Sequence, residues 1–155
     1  MWKLLFGGPL AAIAEVAIAA TKNKVWPEMG SIVYCDLALG YAEHSGVHVG
    51  AGQIIHLNGQ GKIEMVSVED FVVGNSTTVY VSSANGEAVG SNSVVDRAWD
   101  MLGKERNYNF LIDNCHQFSS GCLNGNFENH FNFLWMLKDE AKTTLGATEW
   151  LLWDR

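Results

Sequence analysis

Three histidines in one short stretch, His44, His48 and His56, and one cysteine at the start of a later helix, Cys115, are the side chains of this chain best suited to nucleophilic chemistry. A thiol attacks an acyl carbon as the thiolate, so it needs a depressed pKa and a base to take its proton. Cys115 follows an extended stretch, 107–111, and the pair Asp113-Asn114, either of which can cap a helix over about residues 115–123. In that helix's first turn, unpaired backbone N–H groups and the positive end of the helix dipole favour the thiolate and can hold a developing oxyanion. His44 or His48 can act as the base that later protonates the leaving group. His56 can orient that imidazole, which is the division of labour of a triad.

This chemistry requires the histidines to share a face. In a strand over 43–49, alternation puts His44, Gly46 and His48 on one side and Val47 and Val49 on the other. The side taken by His56, in a following strand over 53–57, depends on the connection. A two-residue Ala51-Gly52 loop pairs Gly50 with Gln53 and turns His56 away from His44. A three-residue Gly50-Ala51-Gly52 loop pairs Val49 with Gln53, aligns Val47 with Ile55 and sets His56 opposite Gly46. The second register is expected, because Gly52 supplies the positive φ such a loop needs. It also keeps Val47, Val49, Ile55 and Leu57 together on one apolar face. His56 then lies diagonal to His44, roughly 7–8 Å away at the backbone, within reach of two imidazoles. The same pattern also fits a polar strand face carrying ordinary histidines.

The positioning elements follow from periodicity and punctuation. Further strands are expected over 31–37, 62–68 and 77–81, with a short helical turn at 69–71 and a small-residue loop over 83–90. A helix capped by Ser91 or Ser93 and ended by Gly103 carries Val94, Val95, Ala98 and Leu102 on one stripe. One or two helices are expected in the tail from His130, which holds Trp135, Trp150 and Trp153. The order of helix, strands and helices predicts an α+β domain with an antiparallel sheet packed against the cysteine-bearing helix. The divisions are an N-terminal apolar helix at 1–24, a catalytic domain at 25–127 and a Trp-rich amphipathic tail at 128–155.

The 155 residues suit one compact domain, and 48% are apolar. The formal charge is -7 and the ten basic residues are scattered, which argues against a nucleic-acid surface. Three cysteines do not suggest a disulfide framework, and Cys35 and Cys122 read as small buried hydrophobes. Residues 1–20 resemble a secretory signal, but Glu15 and Gly7-Gly8-Pro9 interrupt the apolar run. A retained helix over 9–21 is preferred. The location expected is cytoplasmic with peripheral membrane contact, export being the alternative.

The stretch Glu43-His44-Ser45-Gly46-Val47-His48-Val49-Gly50-Ala51-Gly52-Gln53-Ile54-Ile55-His56-Leu57 resembles the histidine box of the lecithin:retinol acyltransferase-like family, and Asn114-Cys115-His116-Gln117-Phe118 resembles its Asn-Cys-Glu-His-Phe motif. Tyr108 sits where that family has a tyrosine before its Asn-Cys pair. The resemblance spans about residues 29–124. It implies a circularly permuted papain-like fold related to the NlpC-type hydrolases. It also implies an acyl-thioester mechanism on lipid acyl esters, without a cofactor, in which Cys115 is nucleophile, His44 base and His56 the orienting residue. His48, Asn114, His116 and Tyr108 are secondary or substrate-binding candidates. Three positions depart from the family: His116 stands for Glu, Gln117 for His, and Ser45 for a common aromatic. They are expected near the cleft, where they bear on the substrate.

Three other readings compete. An NlpC-type peptidase or amidase would need export. His44, His48, His56 and Cys115 could instead build a metal site. A non-catalytic binding module could have kept the fold. The tail tryptophans are expected to pack on the domain, the alternative being a membrane surface.

Overall fold

The computed structural model describes residues 23–37, 42–72, 78–106 and 114–155. The helix expected over 9–21 and Tyr108 lie outside them. The strands are β1 (Lys24–Val25), β2 (Ile32–Leu37), β3 (Ala42–His48), β4 (Gln53–Leu57), β5 (Ile63–Ser67), β6 (Val79–Ala84), β7 (Glu87–Ala88) and β8 (Glu149–Trp153). The helices, in chain order, are α1 (Val68–Val72), α2 (Asn92–Met101), α3 (Asn114–Asn124) and α4 (Leu134–Leu145). The strands form one sheet in the order β1-β8-β6-β2-β3-β4-β5, with β7 added to β6. Every described pairing is antiparallel except β1 with β8. The domain is α+β with an antiparallel-rich sheet, as expected.

Alternation along the strands gives the sheet two buried faces. Ile32, Tyr34, Val47, Ile55 and Leu57 pack against α2, α3 and α4 through Val94, Ala98, Phe118, Leu137 and Ala141. On the opposite face Val33, Cys35, Ile54, Val81 and Leu151 pack with Phe71 and Val72 of α1. The first helix predicted from periodicity is α2. Ser91 Oγ caps it, accepting from Ser93 N–H, and Gly103 follows it at φ 85°.

Two expectations are corrected. Residues 149–153, read as part of a helical tail, form β8, seated between β1 and β6 with Trp150, Leu151 and Trp153 buried. The run Trp150-Leu151-Leu152-Trp153 fills both faces of the sheet and so lacks the alternation that marks a half-exposed strand. Residues 83–90 are not a simple loop either. β6 continues to Ala84 and turns through Asn85-Gly86, at φ 53° and 81°, into β7. That dipeptide is a strong signal for a two-residue hairpin with positive φ at both positions.

Candidate active site

The β3–β4 hairpin adopts the three-residue loop. Val47 pairs with Ile55 and His48 with Ile54, and Gly50, Ala51 and Gly52 all have positive φ. His44 and His56 therefore share a face, as expected. Gly46 makes room between them: a Cβ there would stand 3.1 Å from His56 Cβ and 2.7 Å from Ile54 Cγ2. His44 Nε2 and His56 Nδ1 are hydrogen-bonded at 2.5 Å. Phe71 packs on both rings, with centroid distances of 4.8 and 5.7 Å. On its far side His56 Nε2 meets Glu64 Oε1 at 3.0 Å. Glu64, on β5, sits directly opposite His56 on β4. It was missed from the sequence, although the strand register that places it follows from pairing Leu57 with Ile63 around the turn at Asn58-Gly59.

The chain Glu64–His56–His44 fixes its own tautomers. A carboxylate only accepts, so His56 donates from Nε2. A neutral His56 then carries a lone pair on Nδ1 and accepts from His44 Nε2–H, leaving Nδ1 of His44 unprotonated. Both rings are neutral because burial disfavours their charged forms. Burial chiefly, with the neighbouring His56 and His116 imidazoles, pushes His44 down to about 3. Burial also lowers His56, against the opposing pull of the Glu64 carboxylate.

Burial alone pushes His116 down to about 4. It lowers His48 as well, offset in part by the bond to the Glu28 carbonyl. The unfolded chain takes up protons at these four histidines below roughly pH 6.5, while the folded chain resists them. Their contribution to stability is therefore full above pH 6.5 and is lost as pH falls toward the depressed folded values. Thermal denaturation across pH 7.5 to 4 should show a steady fall in Tm. A flat Tm over that window would contradict the buried neutral imidazoles.

Cys115 lies in the first turn of α3, 8% exposed. Its thiol points at the carbonyl of Glu43, with Sγ 3.8 Å from that oxygen, so the sulfur is held against the strand residue that precedes His44. Two features seat the helix. Phe118, fully buried, anchors it in the core, and Arg97 Nη1 donates to the Cys122 and Leu123 carbonyls at its C-terminal end. Such a bond satisfies carbonyls left open by the helix and suits the negative end of its dipole.

The other candidates separate. His48 is structural: Nδ1 bonds the Glu28 carbonyl at 2.8 Å, Nε2 accepts from Gly52 N–H, and Trp153 packs on the ring. With both nitrogens so engaged, the His48 arm of the metal reading is lost. Among the described residues no group of three or more His, Cys, Asp or Glu could hold a metal ion. His116 is 2% exposed and its Nδ1 is hydrogen-bonded to Ser45 Oγ, which also meets Ser119 Oγ. Ser45 and His116 are thus buried between β3 and α3, beside His44 and Cys115 in the chain. Gln117 is tied to Asn129, its Nε2 donating to the Asn129 carbonyl at 2.7 Å. Asn114 opens α3. Cys35 and Cys122 are fully buried. Burial, with the nearby Asp36 and Cys115, pushes Cys35 up to about 12, and burial likewise raises Cys122.

A helix-borne thiol against a strand whose half-buried histidine is bonded to a buried histidine on the next strand is an arrangement suited to thiol chemistry on acyl groups. The family model described as lecithin retinol acyltransferase matches residues 26–128, and the chain belongs to that family. No curated protein matches the chain. Family membership points to acyltransferase or hydrolase activity in general, and to lipid acyl groups as substrates. Among the described residues no helix is long and apolar enough to cross a membrane.

Proposed function

We propose that the protein transfers or hydrolyses lipid acyl groups through an acyl-thioester on Cys115, in a circularly permuted papain-like domain. The observation that carries this is the hydrogen-bonded chain Glu64–His56–His44, running to the strand segment on which the Cys115 thiol rests. Nδ1 of His44 takes the thiol proton as Sγ attacks the acyl carbonyl carbon. N–H groups of the first turn of α3 hold the oxyanion. The ester C–O bond breaks, and the departing alkoxide takes the proton from the His44 imidazolium. An acceptor (water, an alcohol or an amine) then gives its proton to His44 and attacks the thioester carbonyl. The C–S bond breaks, and the proton returns to sulfur. His56 and Glu64 hold the His44 ring and its tautomer throughout. The exposure of Phe133 and Trp135, 54% and 61%, supports contact of the tail with a lipid surface in this reading.

Incubation with a short-chain phospholipid, followed by intact-protein and peptide mass spectrometry, should show one acyl group added at Cys115. A Cys115→Ser protein should show none by that route. A free Cys115 thiol in the wild type after exposure to several acyl donors would defeat the reading.

A further inference from the structure

We infer that Ser45 and His116 form a buried clamp that sets the position of the nucleophile relative to its base; this rests on the thiol reading above. Ser45 immediately follows His44, and His116 immediately follows Cys115. Across the interface of β3 and α3, Ser45 Oγ lies 2.8 Å from His116 Nδ1 and 2.9 Å from Ser119 Oγ. The two helix residues are one turn apart, so a single strand hydroxyl grips the first two turns of the helix at one point each. Ser45 and Ser119 are fully buried, and His116 is 2% exposed. These polar atoms therefore depend on one another for hydrogen bonds, and any relative slide of helix and strand breaks them. Because each clamp residue adjoins a reacting residue in the chain, such a slide would carry Cys115 and His44 apart by a similar distance. The hydroxyl and the imidazole are halves of one contact.

The clamp residues act through their neighbours, as positioning residues. The expected signature is a loss in kcat, since a displacement of about 1 Å can cost on the order of 100-fold without weakening ground-state binding. Steady-state kinetics on a soluble short-chain phospholipid, with the rate of Cys115 alkylation by iodoacetamide, would be measured for Ser45→Ala, His116→Gln, their double variant and His116→Asn. Asparagine places an amide nitrogen about where Nδ1 stands, whereas glutamine places it further out.

Ser45→Ala and His116→Gln should each lose about 10- to 100-fold in kcat with KM nearly unchanged. The double variant should be no slower than the worse single variant, as expected for two halves of one interaction. His116→Asn should recover most of the loss, and alkylation should follow the same order. Comparing two amides of equal polarity keeps the test valid if a truncation unfolds the chain. Equal rates for His116→Asn and His116→Gln, additive losses, or an effect on KM alone would overturn the clamp. A wild type whose activity survives Cys115→Ala would overturn the thiol reading, and the clamp with it. A wild type that requires Cys115, with clamp variants as fast, would overturn the clamp alone.

Discussion

Replacing His44 with alanine should lower turnover of an acyl ester about 1,000-fold, and His56→Ala should cost less, about 100-fold. The ranking follows from distance to the reaction. In the proposed mechanism His44 moves the proton in both half-reactions, so its loss leaves the thiol without a base and the leaving alkoxide without an acid. His56 moves no proton to substrate. It accepts from His44 Nε2 and so leaves Nδ1 unprotonated. Without it His44 can rotate or adopt the other tautomer, and only part of its population is competent.

Glu64 ranks third. Its side chain is 44% exposed, so solvent screens its charge. A glutamine can still accept from His56 Nε2–H, and Glu64→Gln should cost tenfold or less, at most about 1.4 kcal/mol in the barrier. The measurement is kcat/KM for the three variants against wild type, with circular dichroism to confirm folding. Equal losses at all three positions, or an intact His44→Ala enzyme, would contradict a relay that ends on His44.

The hairpin was legible because three constraints agreed. The Gly50-Ala51-Gly52 turn, the apolar set Val47, Val49, Ile55 and Leu57, and the shared face of His44 and His56 all demand one register, and that register is observed. The caps and stripe of α2 were equally explicit. Glu64 was harder to find, because its place depends on the registers of two successive hairpins, β3–β4 and β4–β5. The Ser45–His116 contact joins residues 71 positions apart and leaves no local pattern. Strand β8 escaped because an apolar run buried on both faces has no period to read, and its partners β1 and β6 are remote in sequence. What sequence conveys well here is local: turn chemistry, caps and the side on which a residue falls. Packing of a helix end against a strand is tertiary, and the candidate site depends on it.

The same distinction governs the largest expected effect on stability, which lies at Gly30 and Gly90. Neither carries a functional group, yet Gly30→Ala should destabilise the fold by more than about 3 kcal/mol. Gly30 has φ +80°, and a Cβ there would stand 1.9 Å from the Ser91 carbonyl oxygen and 2.7 Å from Ser91 N. These are backbone atoms at the cap of α2, which cannot swing aside as a side chain would. Gly90 faces the same crossing from the other strand of chain, its Cβ position 2.4 Å from Met29 O and 2.6 Å from Ser31 N. Relief would require the turn before β2 to part from the start of α2. That turn is bonded to β3, with Gly30 N–H donating to the His48 carbonyl at 2.8 Å and His48 Nδ1 bonded to Glu28 O. The strand that bears His44 would be disturbed with it.

Urea denaturation of Gly30→Ala, Gly90→Ala and the double variant gives the test. Each single substitution should lower the midpoint strongly, and the double should add little, since both break one crossing. Gly59→Ala is the control: nothing lies within 4 Å of its Cβ position, and its stability should stay within about 0.5 kcal/mol of wild type. A Gly30→Ala midpoint as high as that of Gly59→Ala would show that the two backbones do not meet at this point, and that β3 is held in place by its sheet neighbours alone.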